Sequence, residues 1–225
     1  MPVGRWVNKD GREFSLRVSN DSLEVLAGSE EATEAETGAL YSISLDAKDG
    51  ILAHWTSDGA DNVVLAIVSS DQTLYVLYPE LGLMPLKQKT CRGAASRLQL
   101  LKRMNGEVVV SVLAGDSSGV SEVFALRDYG LEPVARLSHG QAFEAVDRNL
   151  YLAWSGTQGE LHLSSAEYPS LPLYTFTFRR PEEEVNDIAV VAGDSGAARL
   201  VVRSSSAVYT FEIHPLHRGD DPDGL

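Results

Sequence analysis

The sequence predicts an all-β protein: a β-propeller of about five four-stranded blades, either a closed ring, an incomplete one or a shortened form of a seven-bladed one. Three observations carry this. A strand–turn–strand unit recurs about five times, at a step of roughly 35–50 residues that suits propeller blades. From about Arg12 to Ile213, short apolar or alternating runs are separated by clusters of Gly, Asp, Ser and Asn, the pattern of strands and tight turns. Helical periodicity is nearly absent.

Each copy is a β-rich run ending in a small-residue turn, then a second run with an aromatic or apolar start. The first reads Ser22-Leu-Glu-Val-Leu-Ala-Gly28 and Leu40-Tyr-Ser-Ile-Ser-Leu45. In the second blade the frame gives strands at Gly50–Thr56, Asn62–Ser69, Thr73–Tyr78 and Gly82–Gln88. The third has Arg97–Lys102, Glu107–Leu113, Glu122–Leu126 and Glu132–Leu137. The stretch Ser96–Met104 also fits a short helix, but its place in the frame favours a strand. The fourth has Ala142–Val146, Leu150–Trp154, Glu160–Ser164 and Pro172–Phe178; the last has Val185–Val191, Ala198–Arg203 and Ala207–Ile213 and lacks a fourth strand. Second strands such as Val108–Leu113 are apolar on both faces, as burial between two blades requires. The outer runs Glu132–Leu137 and Pro172–Phe178 alternate or carry proline, as edge strands do. Asp58-Gly59, Asn105-Gly106, Asp128-Tyr-Gly130 and Asp194-Ser-Gly196 read as turns.

One domain is expected over residues 1–215. The acidic segment Glu30-Glu-Ala-Thr-Glu-Ala-Glu36, within a loop at 29–38, is long for a blade hairpin. Residues 216–225 are polar and expected to be disordered. Three arrangements remain open. The ring closes with five blades, the segment near Phe14–Val18 completing the last; or it is open and completed by a partner or second copy; or the chain is a shortened version of a longer protein.

The net charge of −13 over 225 residues argues against nucleic acid as a partner, since phosphate backbones need clustered Lys and Arg. Lys87, Lys89, Arg92, Arg97, Lys102 and Arg103 are read as solvated rim charges. One cysteine, Cys91, rules out an internal disulfide framework. The start Met1-Pro-Val-Gly-Arg-Trp6 shows no secretory h-region, and no apolar run reaches the roughly 18–20 residues of a membrane span. A cytoplasmic or nuclear protein without membrane association is expected.

No strong catalytic or metal motif is present, and no cofactor is expected. His214-Pro-Leu-His217 has ligand-like spacing but no third ligand nearby. His162 reads as a half-buried strand residue, and His54 as a first-strand residue that packs or faces the channel. Gly115-Asp-Ser-Ser-Gly119 and Gly193-Asp-Ser-Gly196 offer one carboxylate each, too few for calcium. Trp154-Ser-Gly-Thr-Gln-Gly159 is a hairpin turn, not a nucleophile elbow. The surface aromatics expected at Trp6, Tyr129 and Tyr168 recur at no fixed place in the repeat, which counts against equivalent sugar-stacking sites. At Leu137–Val146, His139 and Glu144 come together where one blade passes to the next, as a general base and its orienting partner would. The competing reading is that they hydrogen-bond the blade connection.

These repeats resemble the WD-repeat class of propellers in architecture, although every blade lacks the Gly-His and Trp-Asp dipeptides. A finer resemblance is to the diphthine methylesterase family. It is carried by Leu23-Glu-Val-Leu-Ala-Gly28, Gly38-Ala-Leu-Tyr-Ser42, Gly115-Asp-Ser-Ser-Gly119, His139-Gly-Gln-Ala-Phe-Glu-Ala145 and Trp154-Ser-Gly156. Val146 stands where that family has tryptophan, and the match ends near residue 165. The resemblance implies methyl-ester hydrolysis on the diphthamide precursor of a translation elongation factor, with His139, Phe143 and Glu144 carried over. The leading expectation is instead a non-catalytic platform in a multi-subunit complex, with Glu30, Glu31, Glu34, Glu36 and Phe143 at partner contacts.

Overall fold

The structure is a computed structural model. It describes residues 2–19, 22–28, 38–45, 51–90, 94–103, 105–115, 119–138, 141–144, 150–155, 159–165, 168–178, 180, 182–192 and 198–213. Among them are nineteen β-strands and no helix. They form five antiparallel sheets, each a meander of strands consecutive in the chain. The blades are β1–β4 (Pro2–Val7, Glu13–Val18, Ser22–Ala27, Gly38–Ser44) and β5–β8 (Leu52–Ser57, Val63–Val68, Thr73–Leu77, Leu86–Lys89). The third is β9–β12 (Ala95–Lys102, Val108–Ala114, Val120–Arg127, Gly130–Ser138). The fourth is β13–β16 (Gln141–Glu144, Leu150–Ser155, Glu160–Ser165, Pro172–Thr177). Strands β17–β19 (Val185–Ala192, Ala198–Ser204, Val208–Ile213) make a three-stranded sheet. The chain divides into two compact units, residues 1–136 and 137–225.

The predicted blades two to five are found within a few residues of their expected bounds. The first differs by one strand. Ser22–Ala27 and the run beginning at Gly38 are the third and fourth strands of their sheet, not the second and third. The segment near Phe14–Val18 does not complete the last blade, because Glu13–Val18 lies between β1 and β3. Its burial explains this placement: Phe14, Ser15 and Leu16 are successive buried residues, and a strand buried on both faces needs cover that an edge position lacks.

In the first unit, β6 shows why second strands read as unbroken apolar runs. Val63, Leu65 and Ile67 join one core with Trp6, Phe14 and Leu16 of the first blade. Val64, Ala66 and Val68 join another with Val108, Val110 and Val112 of the third. A period of two thus feeds two inter-blade cores from one strand. Truncating such a residue to alanine, as in Ile67→Ala, costs about 2–5 kcal/mol. In the second unit, Leu161, Leu163, Ile188, Leu200 and Val202 make the core between the fourth and fifth sheets. Phe176 and Phe211 lie beside it, their ring centroids 4.4 Å apart.

Of the predicted turns, Asp58-Gly59, Asn105-Gly106 and Asp128-Tyr-Gly130 hold, and Asp194-Ser-Gly196 lies outside the described residues. Asp128 and Tyr129 have φ of 47° and 56° between β11 and β12, the two positive values of a type I′ hairpin. In the turn between β5 and β6, Asp58 Oδ1 accepts from the Ala60 and Asn62 backbone N–H groups at 2.9 Å each, an Asx-type closure.

Candidate interaction surface

In three of the blades the connection between the third and fourth strands carries large apolar side chains that reach solvent. In the second blade it carries Leu81 and Met84, Met84 being 87% exposed. In the third it is the turn with Tyr129, 51% exposed; in the fourth it carries Tyr168, 70% exposed, and Leu171. Tyr129 and Tyr168 therefore do recur at one place in the repeat, contrary to expectation. Trp6 is not a surface aromatic at all. It is 5% exposed and stacks on Phe14 at 5.3 Å, with Trp55 at 5.4 Å.

The loop of the second blade is held from three sides. The Tyr41 hydroxyl, on β4, faces the Leu83 carbonyl at 2.8 Å and the Tyr78 carbonyl at 3.1 Å. Burial raises the pKa of this phenol, so it remains a donor. The Glu80 carboxylate accepts from Asn8 Nδ2 at 2.5 Å and from the Val63 backbone N–H at 3.1 Å. Tyr129 packs edge-on against Tyr78 at 5.2 Å. Burial, with Asp58 and then Tyr129 nearby, pushes Tyr78 up to about 12. The result is an exposed apolar tip on a fixed backbone, an arrangement that presents side chains without the entropic cost of ordering them on binding.

The rim charges pair locally. Lys102 lies 3.6 Å and Lys9 4.0 Å from Asp61, and Lys89 Nζ is 2.9 Å from Asp71. Arg103 is buried, bonded to Glu107, which also accepts from Arg127 at 2.5 Å; Arg127 reaches on to Glu132 at 2.8 Å. Lys87, Lys89, Arg97 and Lys102 lie at or near the surface, but Arg103 is not the solvated rim charge expected: it is buried beside Glu107. Arg92 lies outside the described residues.

His162 is a packed strand residue. Its ring lies 4.4 Å from Trp154, with Nδ1 3.0 Å from Thr175 Oγ1 and Nε2 3.6 Å from Glu160. His54 reaches solvent from β5, and the protein around it lowers its pKa through desolvation. Glu183 is buried under three hydroxyls: Ser204, Ser206 at 2.5 Å and Tyr209 at 2.7 Å. Those hydrogen bonds hold its pKa low, so it anchors the start of the fifth sheet as a carboxylate.

Among the described residues no group of His, Cys, Asp and Glu is arranged to hold a metal, and no helix is long and apolar enough to cross a membrane. The candidates His139, Glu30, Glu31, Glu34 and Glu36, the pair His214 and His217, Cys91 and the tail 216–225 lie outside the described residues. Phe143 and Glu144 sit on β13, opposite Tyr151 and Leu150; their side chains are likewise outside them. The segment with the four glutamates joins β3 to β4, the same place in its blade as Met84 and Tyr129 in theirs. Leu81 and Met84 escaped the sequence reading because an apolar residue in a loop carries no periodic signal. Knowing which loops join third to fourth strands would have found them.

No protein-family model matches the sequence, and no curated protein does. Solved structures are similar in fold. The complex of the fission yeast SREBP–SCAP binding domains aligns over 100% of this chain with TM-score 0.55 at 14% identity. The β-propeller domain of Myceliophteria thermophila Cps50 (Swd1) aligns over 97% with TM-score 0.54 at 12% identity. A humanised mutant of Chaetomium thermophilum Polycomb Repressive Complex 2 aligns over 97% with TM-score 0.53 at 13% identity. The chain spans 66%, 67% and 50% of those chains. At these identities the likeness is one of fold: the chain is a β-propeller of about five blades.

Proposed function

We propose that this propeller is a protein-interaction platform, a subunit of a multi-protein complex. The observation that carries the reading is exposed Leu81 and Met84 on a loop fixed by Tyr41 and Glu80, with exposed Tyr129 of the next blade packed against that loop at Tyr78. Exposed apolar side chains on a rigid rim are what a partner buries at the centre of an interface. Two of the similar propellers are found in assemblies, the SREBP–SCAP complex and Polycomb Repressive Complex 2. A cytoplasmic or nuclear setting goes with this proposal.

The test is affinity purification of the tagged protein against a Met84→Asp/Tyr129→Ser variant that keeps the wild-type circular dichroism spectrum and Tm. A stoichiometric partner should accompany the wild type and fall roughly tenfold or more with the variant. Equal recovery of that partner with both proteins would overturn the reading, as would the lack of any stoichiometric partner.

The finer alternative is a methyl-ester hydrolase acting on the diphthamide precursor of an elongation factor. It rests on the resemblance around His139–Ala145. His139→Ala/Glu144→Ala separates the two readings: a platform keeps its partners, whereas a hydrolase loses about 10²–10⁴-fold in turnover.

A further inference from the structure

The fifth sheet, within the second unit, stops at its third strand. The third strand of the second blade, β7, is buried throughout, whereas β19 alternates exposed and half-buried residues. The Ser204 N–H donates to the Ala207 carbonyl at 2.9 Å. In the register that follows, Tyr209 and Phe211 therefore turn their backbone groups toward β18, and Val208 and Thr210 turn theirs outward. No strand lies on that side among the described residues. Beside it, on β16, Tyr174 stands opposite Leu163 and so shares the face that looks onto the fifth sheet. It is nevertheless 53% exposed. In the first unit the corresponding places are covered: Leu86 and Leu131, on the fourth strands of the second and third blades, pack onto the core between them.

The edge and its neighbour select the occupant. Backbone donors and acceptors two residues apart along an edge are matched by another extended chain. Tyr174 requires apolar side chains on one face of that chain, and uncharged Val208 and Thr210 suit hydroxyl side chains on the other. The stretch after β19 does not fit, since residues 214–225 hold two prolines, two glycines and no apolar alternation. A second copy fits no better. Its outer strands carry guards, Lys87 and Lys89 on β8, Pro133 on β12 and Pro172 on β16, and β4 is tied to the second blade by Tyr41. The Tyr209 and Phe211 rings of its β19 already pack on Phe178 and Phe176 at 4.8 and 4.4 Å, so they cannot turn to cover the Tyr174 of another copy. By contrast β19, Val-Tyr-Thr-Phe-Glu-Ile, has neither lysine nor proline to keep a strand away. We infer that a partner protein supplies the fourth strand of the fifth sheet. It is an extended segment antiparallel to β19, apolar at alternate positions toward Tyr174 and polar between them. This surface lies apart from the Leu81–Met84 loop, and the inference does not rest on the reading argued from that loop.

The probe is a fluorescein-labelled peptide, Ser-Leu-Thr-Val-Thr-Leu-Ser, measured by anisotropy on the whole chain. Its threonines lie beside Val208 and Thr210 with their N–H groups toward β19, and its leucines and valine face Tyr174. Saturable binding below about 1 mM is expected. N-methylation of both threonines removes those donors and should weaken binding roughly tenfold or more. N-methylation of the valine, whose N–H points away, should change it by less than about twofold. Thr210→Pro gives up only an outward N–H, as proline on an edge strand does, so it should keep the wild-type Tm and bind roughly tenfold or more weakly. Tyr174→Ser should weaken binding roughly fivefold, and Met84→Asp/Tyr129→Ser should leave it unchanged. If Thr210→Pro lowers the Tm, the methylated pair and Tyr174→Ser decide the matter. The inference fails if nothing saturates by about 1 mM, if the two methylated peptides bind alike, or if folded Thr210→Pro or Tyr174→Ser binds as tightly as wild type. Loss of binding in Met84→Asp/Tyr129→Ser would also overturn it, by moving the site to the second blade. So would a wild-type dimer in sedimentation that Thr210→Pro makes monomeric, which would give the edge to a second copy.

Discussion

Gly59 and Gly106, in the first hairpin turns of the second and third blades, abut backbone to backbone. A Cβ on Gly59 would stand 3.0 Å from the Gly106 Cα, and a Cβ on Gly106 would collide with the Gly59 Cα. Both residues read from sequence as ordinary turn glycines. The structure gives them a second task, letting two blades close at their inner turns.

Gly106 also has φ of 85°, so an alanine there meets both backbone strain and collision. Gly106→Ala should cost about 2–4 kcal/mol. Gly11, with φ of 77° and nothing within 4 Å of its Cβ position, should cost only about 1 kcal/mol. Urea unfolding of the two variants checks the difference; equal costs would remove the close approach from the account.

Tyr41→Phe removes one hydroxyl that reaches across from the first blade to the loop of the second. A loss of about 1 kcal/mol is expected, with faster amide exchange confined to residues 78–85. Exchange that accelerates uniformly over the chain would show that Tyr41 does not act on this loop.

Asp71 is held at about 2, below its ordinary 3.8, by hydrogen bonds from Ser69 and Lys89 and then Thr73, against a desolvation that raises it. A carboxylate whose pKa is depressed by folding stabilises above its unfolded pKa and loses that contribution as pH falls through the folded one. The window is therefore about pH 4 to 2. Because its side chain is 46% exposed, solvent screening leaves about 1 kcal/mol at stake. Asp71→Asn should flatten the stability curve in that window, measured by urea midpoints at successive pH values.

Glu107 sits between buried Arg103 and exposed Arg127. Burial pushes its pKa up, and the two guanidiniums more than offset that, leaving it below the usual carboxylate range. Glu107→Ala removes the carboxylate beside a buried cation and should cost about 3–5 kcal/mol. Arg127→Ala, at the exposed end, should cost far less, because solvent screens that pair. Thermal midpoints rank the two, and the reverse order would refute this apportionment.

What sequence alone determined is the local part of this protein. Val63–Val68 reads as a strand buried on both faces because its alternation feeds two cores, and that pattern is visible without any partner. Asp128-Tyr129-Gly130 reads as a turn because its backbone chemistry is set within three residues. Sequence also gave the last sheet three strands, as it has among the described residues. Tertiary structure alone decided the strand frame of the first blade and which turns meet. Glu13–Val18 and Ser22–Ala27 carry equally good strand signals, and only the packing of Phe14 and Leu16 between β1 and β3 fixes the frame of the first blade. Trp6 in the chain resembles any surface aromatic until Phe14 and Trp55 cover it. Tyr129 meets the loop that carries Leu81 and Met84 only through its contact with Tyr78. Periodicity and turn preference act over a few residues, whereas these contacts join positions tens of residues apart, so no short window of sequence contains them.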